Sequence, residues 1–250
     1  MKRGFTLIEL LVVIAIIALL MSISIPVLRQ ARLYSKEVVC QSNLRQWGLI
    51  LEMYTDENNN FFFKGVFGSS WDDWIEILRP FYGKKGKITF CPLATETADE
   101  GGRGVYAAWE DEEGSDFGSY GLNGWVCNAS PMSSSDELFW RTNRIKNAQD
   151  VPVFLDCLWM VNWPDHSSIP PEYDGQPLQE WNLSEQMRNF CINRHGKGAT
   201  NCLFMDWSVE SVGLKQLWKL KWHKNFDING PWTREHNPNW PEWMRKFKDY

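Results

Sequence analysis

Apolar and polar positions divide the chain into unequal parts. From Phe5 to Leu28 the sequence is apolar almost without interruption, with Glu9 as its only charge and no polar residue between Leu10 and Met21. At 1.5 Å per residue such a stretch is long enough to cross a hydrocarbon core of about 30 Å. Further on, Cys40, Leu44, Trp47, Leu51 and Tyr54 recur at spacings of four and three, the stripe of an amphipathic helix seated on an apolar surface. Asp56 to Asn60 ends that pattern. Together these signals predict one helix from Phe5 to about Glu57, on the order of 80 Å long. Its first half would lie in lipid and its second half on a folded region. Pro26 lacks a backbone donor and crowds the preceding turn, so a bend or local melting is expected between Ser22 and Pro26.

Beyond Phe61 the texture changes to short apolar runs broken by Gly, Pro, Asn and Ser, which favours strands, turns and loops. Trp71 to Leu78 reads as a short helix ahead of Pro80, and Ile88 to Cys91 as a strand closed by Pro92. Val151 to Trp159 is nearly continuous in apolar content, as in a buried strand. Phe190–Arg194, Ala199–Met205 and Ser208–Val212 read as three antiparallel strands, joined by turns at Gly196–Gly198 and at Asp206–Trp207.

Composition narrows the function. A chain of 250 residues with 44% hydrophobic and 23% charged residues is foldable in one or two domains, which excludes a disordered or collagen-like protein. Twenty-six Lys and Arg against 31 Asp and Glu give a net charge of −5, without the cationic surplus that nucleic-acid binding requires. No nucleic acid is expected as a partner. Lys2 and Arg3 ahead of the apolar segment favour a cytoplasmic N-terminus and place the remainder outside, with Arg29 and Arg32 acting mildly in the other sense.

A carboxylate inside an apolar segment needs a reason, because it costs about 2.5–3.5 kcal/mol near a membrane helix centre and less near its end. A cut between Gly4 and Phe5 supplies one. The new α-amine of Phe5 would stand four residues before Glu9, or reach the Glu9 of a neighbouring copy. Arg3-Gly4-Phe5-Thr6-Leu7-Ile8-Glu9 followed by the apolar run resembles the N-terminal signature of type IV pilins and type II secretion pseudopilins. That resemblance implies a prepilin peptidase that cuts after Gly4 and methylates Phe5, with Glu9 used in assembly and Pro26 at the place of a helix-kinking proline. It further implies other pilin or pseudopilin subunits, an inner-membrane assembly platform and the lipid bilayer as partners. A secretory signal peptide with Ser22-Ile23-Ser24 as its cleavage site, or a plain membrane anchor, accounts for the apolar length but leaves Glu9 and Gly4-Phe5 unexplained.

Arg194-His195-Gly196 through Asp206-Trp207 is similar to the C-terminal pattern of planctomycete-type pilin-like proteins, a His, a Gly-rich turn, an apolar strand and an Asp-Gly turn. Here ten residues separate His195 from Asp206 where the usual pattern has nine, and Trp207 replaces the Gly. Cys40-x-x-Asn43-Leu44-Arg45-Gln46 and Cys91-Pro92 also resemble that group. The expected fold is α+β and pilin-like: a long N-terminal helix packed on an antiparallel sheet, with a loop-rich C-terminal region. Residues 1–4 would be the leader, 5–28 the transmembrane and assembly helix, 29–60 its amphipathic continuation, and 61–250 a periplasmic β-rich domain. The function implied is a structural subunit of a type II secretion-like or type IV pilus-like filament at the bacterial inner membrane. The alternative is a membrane-tethered binding module for an extracellular ligand such as a polysaccharide.

Little in the sequence suggests an enzyme. His195 with Asp206 and Cys191 would form a nucleophile–base–orienter set only if folding joined them, and their spacing does not demand it. Six cysteines at 40, 91, 127, 157, 191 and 202 in an oxidising compartment allow fifteen complete pairings, or free buried thiols. Pairing of 190–194 with 199–203 would set Cys191 opposite Cys202, and a Cys40–Cys91 bridge would staple the helix to the sheet. No Cys-x-x-Cys occurs, which counts against structural zinc, and His166, His223 and His236 lack metal-ligand spacing. No cofactor is required, although calcium loops occur in major pseudopilins and Glu110 to Asp116 offers oxygen ligands without their ordered alternation. Glu96 to Asp116 is acidic and Gly213 to Tyr250 basic, patches that either meet between subunits or are solvated loops. Trp218, Trp222, Trp232, Trp240 and Trp243 either present an aromatic platform for a sugar or dress a C-terminal helix against the sheet.

Overall fold

A computed structural model describes residues 6–64, 73–83, 87–95, 104–110, 116–128, 136–176, 183–234 and 237–248. A single helix, α1 (Leu7–Glu57), occupies the first fifth of the chain. Thr6 opens it: the Thr6 hydroxyl accepts from the Glu9 N–H while the Glu9 carboxylate accepts from the Thr6 N–H, a capping box. Asparagines close it. Asn58 N–H bonds the Tyr54 and Thr55 carbonyls, and Asn59 and Asn60 take positive φ angles of 55° and 66°, which asparagine tolerates better than most residues. The helix runs unbroken through Pro26, so of the bend or local melting expected there the melting does not occur. Ser22 and Ser24 hydroxyls donate to the Leu19 and Leu20 carbonyls in the turns just ahead of the proline.

Among the described residues two further α-helices and seven strands follow: α2 (Asp73–Tyr82), β1 (Trp109–Glu110), β2 (Phe117–Gly118), β3 (Tyr120–Asn123), β4 (Pro152–Asp156), β5 (Val161–Asn162), β6 (Ala199–Phe204), β7 (Val209–Gly213) and the short α3 (Glu242–Arg245). Helix α2 continues past Pro80, where the sequence placed its end. Strands β1 and β2 form a separate pair. The main sheet has the order β5-β3-β4-β6-β7, antiparallel except for the parallel β3–β5 pair. The architecture is α+β and pilin-like, with a mixed sheet in place of the purely antiparallel one expected.

Two predicted strands do not form, and in each case other groups take the backbone bonds. Around Ile88 to Cys91 the carbonyls of Ile88 and Phe90 accept from Trp47 Nε1 (2.9 Å) and Asn43 Nδ2 (2.8 Å), both on α1. Lys87–Thr89 is accordingly a 3-10 turn. At 190–194 the backbone bonds locally, Cys191 N–H to the Met187 carbonyl, following the 3-10 stretch Leu183–Asn189. Cys191 therefore has no ladder position opposite Cys202, which pairs with Leu155 and Glu210 instead.

The sheet separates two apolar layers, as a period-two alternation requires. Phe154, Leu203 and Met205 pack with Cys40, Leu44, Trp47 and Leu51 of α1, while Leu155, Cys202 and Phe204 join Phe190, Trp218, Trp222 and Trp240. Tryptophans 218, 222 and 240 are buried and 232 and 243 half-buried, with ring centroids 5.3 Å apart for Trp218–Trp240 and 5.2 Å for Trp232–Trp240. They build the second core and leave no open platform among themselves. Asp206 caps its own turn through Ser208, and Trp207 adopts the left-handed φ of +66° that the usual Gly would supply, so the turn survives the replacement.

Gly48 marks where α1 comes closest to the sheet, since a Cβ there would lie 3.0 Å from Leu203 Cδ1 and 3.6 Å from Trp207 Cβ. Gly48→Val should destabilise the protein by about 1–3 kcal/mol through overpacking, seen as a lower thermal midpoint of the full chain in detergent. An unchanged midpoint would mean that helix and sheet are not in tight contact.

Candidate functional site

Two places on α1 carry the features that function can use. The first is the upper half of the helix. Every residue from Thr6 to Tyr34 is exposed, and the most apolar 18-residue window has a mean hydropathy of 2.9 with none of it buried. Leu7, Ile8, Leu10, Leu11, Ile14 and Leu19 are each more than half exposed. No other described part of the chain covers this surface, which is long and apolar enough to cross a membrane. At its tip Glu9 accepts two bonds from Thr6, N–H and Oγ1–H, both at 2.8 Å. Thr6 thus satisfies part of the Glu9 carboxylate from within the helix start. Thr6-x-x-Glu9 is the capping-box spacing, the signal in the sequence that identifies Thr6. Gly4 and Phe5 lie outside the described residues.

The second place is where α1 meets the sheet. Cys40, the first residue of the buried stripe, stands against Asp156 at the end of β4, with Sγ 3.4 Å and 3.5 Å from the two carboxylate oxygens. Asp156 is fully buried and sits on the same face as Phe154, two positions before it. Its Oδ1 accepts from Arg194 Nη1 (3.2 Å), and its Oδ2 lies 3.0 Å from His195 Nε2 and accepts from the Asn201 N–H (3.2 Å). Cys91 Sγ lies 3.7 Å from the same His195 Nε2. Arg194 spends its remaining donors on the carbonyls of Val105, Ser119, Ala107 and Cys157 at 2.7–3.1 Å. One buried arginine therefore gathers three segments, 105–107, 119 and 156–157, around itself.

Charges in this centre shift one another strongly. Burial works against the Asp156 carboxylate, but the His195 and Arg194 charges and the Asn201 N–H hold it down at about 2. Burial likewise opposes a charged His195, yet Asp156 and Cys91 raise it to about 10. The Cys91 thiol, pushed up by burial, is brought down to about 6 by Cys40, His195 and Arg194, while burial and the neighbouring Cys91 and Asp156 push Cys40 well up.

Cys91, His195 and Asp156 have the residue types of a nucleophile–base–orienter set but not its geometry. In such a set the base uses one ring nitrogen for the nucleophile and the other for the carboxylate. Here Nε2 faces both, and Nδ1 is buried without a partner. Of the set His195, Asp206 and Cys191, which the spacing did not demand, the fold joins neither partner to His195 and places Asp156 and Cys91 beside it instead. Burial drives the Cys191 and Cys202 thiols well up. All six cysteines are free in the structure, so neither Cys191–Cys202 nor Cys40–Cys91 is bridged.

The remaining candidates have local roles. Asp165 bonds His223 (3.3 Å) and its own turn at Ser167 and lies 3.4 Å from His166 Nδ1, and the His223 hydrogen bond holds it below the usual carboxylate range. His236 and residues 111–115 lie outside the described residues, while Asp116, the end of the acidic stretch considered for calcium, takes a bidentate Arg79 at 3.2 and 2.5 Å.

Residues 1–25 match the family described as the prokaryotic N-terminal methylation motif. Over 59 residues the chain is 46% identical to the type IV wide pilus major component PilA4 of Thermus thermophilus, an alignment covering 24% of this chain. The chain spans 45% of the length of that curated relative. No solved structure matches.

Removing Arg194 would leave a buried carboxylate and four carbonyls without their donor. Arg194→Ala should therefore cost about 3–5 kcal/mol of stability, measurable by urea unfolding of the full chain in detergent. A loss below about 1 kcal/mol would show that Arg194 does not organise the centre.

Proposed function

We infer that this type IV pilin-like chain is a structural subunit of a pilus-like or type II secretion-like filament, drawn from the bacterial inner membrane by packing the upper halves of α1 from neighbouring copies. One observation carries the reading: the apolar helix surface from Leu7 to Leu28, continuous with the methylation motif, that the described chain itself leaves bare. In the membrane lipid covers it, with residues 1–4 as a cytoplasmic leader and the folded part on the far side, as Lys2 and Arg3 favour. In the filament other copies cover it.

Processing fits this scheme. Prepilin peptidase would cut after Gly4 and methylate Phe5, releasing an amine four residues before Glu9 on the same helical face. Thr6 then acts as a holding partner: its N–H and hydroxyl keep the Glu9 carboxylate oriented toward the helix start, where an amine from its own chain or a neighbour meets it. Pro26, inside an intact helix, lacks the N–H that would close the bond to the Ser22 carbonyl, which makes 22–26 the place for α1 to loosen on leaving lipid. With the C-terminal tryptophans packed in the second core, no specific observation favours the glycan-binding alternative.

Mass spectrometry of protein from its native membranes should find an N-terminal methylated Phe5, and Glu9→Leu should abolish filaments while leaving the chain processed and membrane-bound. A chain that still begins at Met1, or normal filaments from Glu9→Leu, would refute the reading.

A further inference from the structure

Four donor atoms converge at the α1–sheet seam on a point that neither processing nor helix packing uses. Cys40 Sγ, Cys91 Sγ, an Asp156 carboxylate oxygen and His195 Nε2 all lie within 4.8 Å of one another. They come from α1, from the loop after the 87–89 turn, from the end of β4 and from the turn before β6, and all four side chains are buried. The contacts among them are 3.4 and 3.5 Å for Cys40 to Asp156, 3.7 Å for Cys91 to His195 and 3.0 Å for His195 to Asp156. A tetrahedral Zn²⁺ with bonds of about 2.3 Å to sulfur and about 2.0–2.2 Å to nitrogen or oxygen sets its ligand atoms roughly 3.3–3.8 Å apart. The three contacts, at 3.0–3.7 Å, lie near that range, and no pair of the four atoms is more than 4.8 Å apart.

We propose that Cys40, Cys91, Asp156 and His195 bind one Zn²⁺ and so clasp the long helix to the globular sheet. The convergence of both thiols, the carboxylate and the same ring nitrogen on one point is what a metal requires and what a proton relay does not. Two thiolates with an imidazole select a soft or borderline ion over calcium or magnesium. The ion's charge is selected as well. Arg194 balances Asp156, so exchanging two protons, one from Cys40 and one from the Cys91–His195 pair, both released to solvent, for one divalent ion leaves the charge of the pocket unchanged, with no change of oxidation state. Outer partners are already in place: Arg194 Nη1 and the Asn201 N–H hold the carboxylate, and Asn201 Nδ2 lies 3.4 Å from Cys40 Sγ. Four protein ligands close the coordination sphere, so the ion is structural.

The test uses the full chain, purified in detergent from cells grown with zinc, without chelator or reductant. Metal analysis should find one zinc per chain, reduced at least about tenfold in Cys91→Ser and in His195→Ala and retained in Cys127→Ser, whose cysteine lies outside the cluster. Should the first two variants fail to fold, exchange of Co²⁺ into the unaltered chain decides: the thiolate-to-cobalt charge-transfer band and tetrahedral visible bands support the site, and their absence overturns it. A Cys40–Cys91 disulfide in peptides from the unreduced protein, zinc-free protein, or full zinc content in Cys91→Ser would each overturn it. The result is independent of whether the chain forms filaments.

Discussion

A helix surface that its own chain does not cover is the constraint on which the rest depends. Burying an apolar side chain contributes roughly 1.5–3 kcal/mol, and the upper half of α1 presents many such side chains with none of that gain realised inside the protein. On the proposed function the surface has two coverings, lipid and identical helices, and both suit an apolar cylinder. The transfer between them asks for a polar device at the tip that is tolerable in one environment and specific in the other. Glu9 with Thr6 has that character, because a carboxylate held by its own helix start still has capacity for a cation.

The lower half of the same helix solves the opposite problem. On the proposed function it must remain attached to a folded body while the upper half is packed into a bilayer or a fibre, so any pull along the fibre passes through the seam between α1 and the sheet. That seam is more than apolar contact. Its apolar part, Leu44, Trp47 and Leu51 against Phe154 and Leu203, gives way at the Cys40 end to the carboxylate of Asp156 with its arginine, histidine and asparagine. Lys197 adds a bond to Glu37 from the turn before β6, and its ammonium lies 4.9 Å from the Tyr34 ring centre. Apolar contact is non-directional, whereas a buried carboxylate with fixed partners tolerates one arrangement only. The polar end of the seam thus sets the register of helix on sheet.

Much of this was readable along the chain. The bounds of α1, the strands within 151–159 and 199–205, and the burial of Cys40, Leu44, Trp47 and Leu51 all follow from local periodicity, which a helix or strand expresses whatever surrounds it. The Thr6-x-x-Glu9 cap was equally local. Strands assigned at 88–91 and 190–194 failed because a short apolar run does not say where its carbonyls will bond, and side chains on α1 and a neighbouring 3-10 turn took them.

The buried centre was beyond that reach. Cys40 and Asp156 stand 116 positions apart and Cys91 and His195 stand 104 apart, so no spacing rule joins them. Asp156, a charge within an otherwise apolar strand, was the visible hint, and Arg194 beside His195 the other. By itself the sequence determined a membrane-length apolar helix with a processing signal at its tip and a one-sided stripe below, because those properties are periodic and local. Only the tertiary structure decided that His195 faces Asp156 and Cys91, because the strand order that brings β4 beside β6 and under α1 is a property of the whole chain.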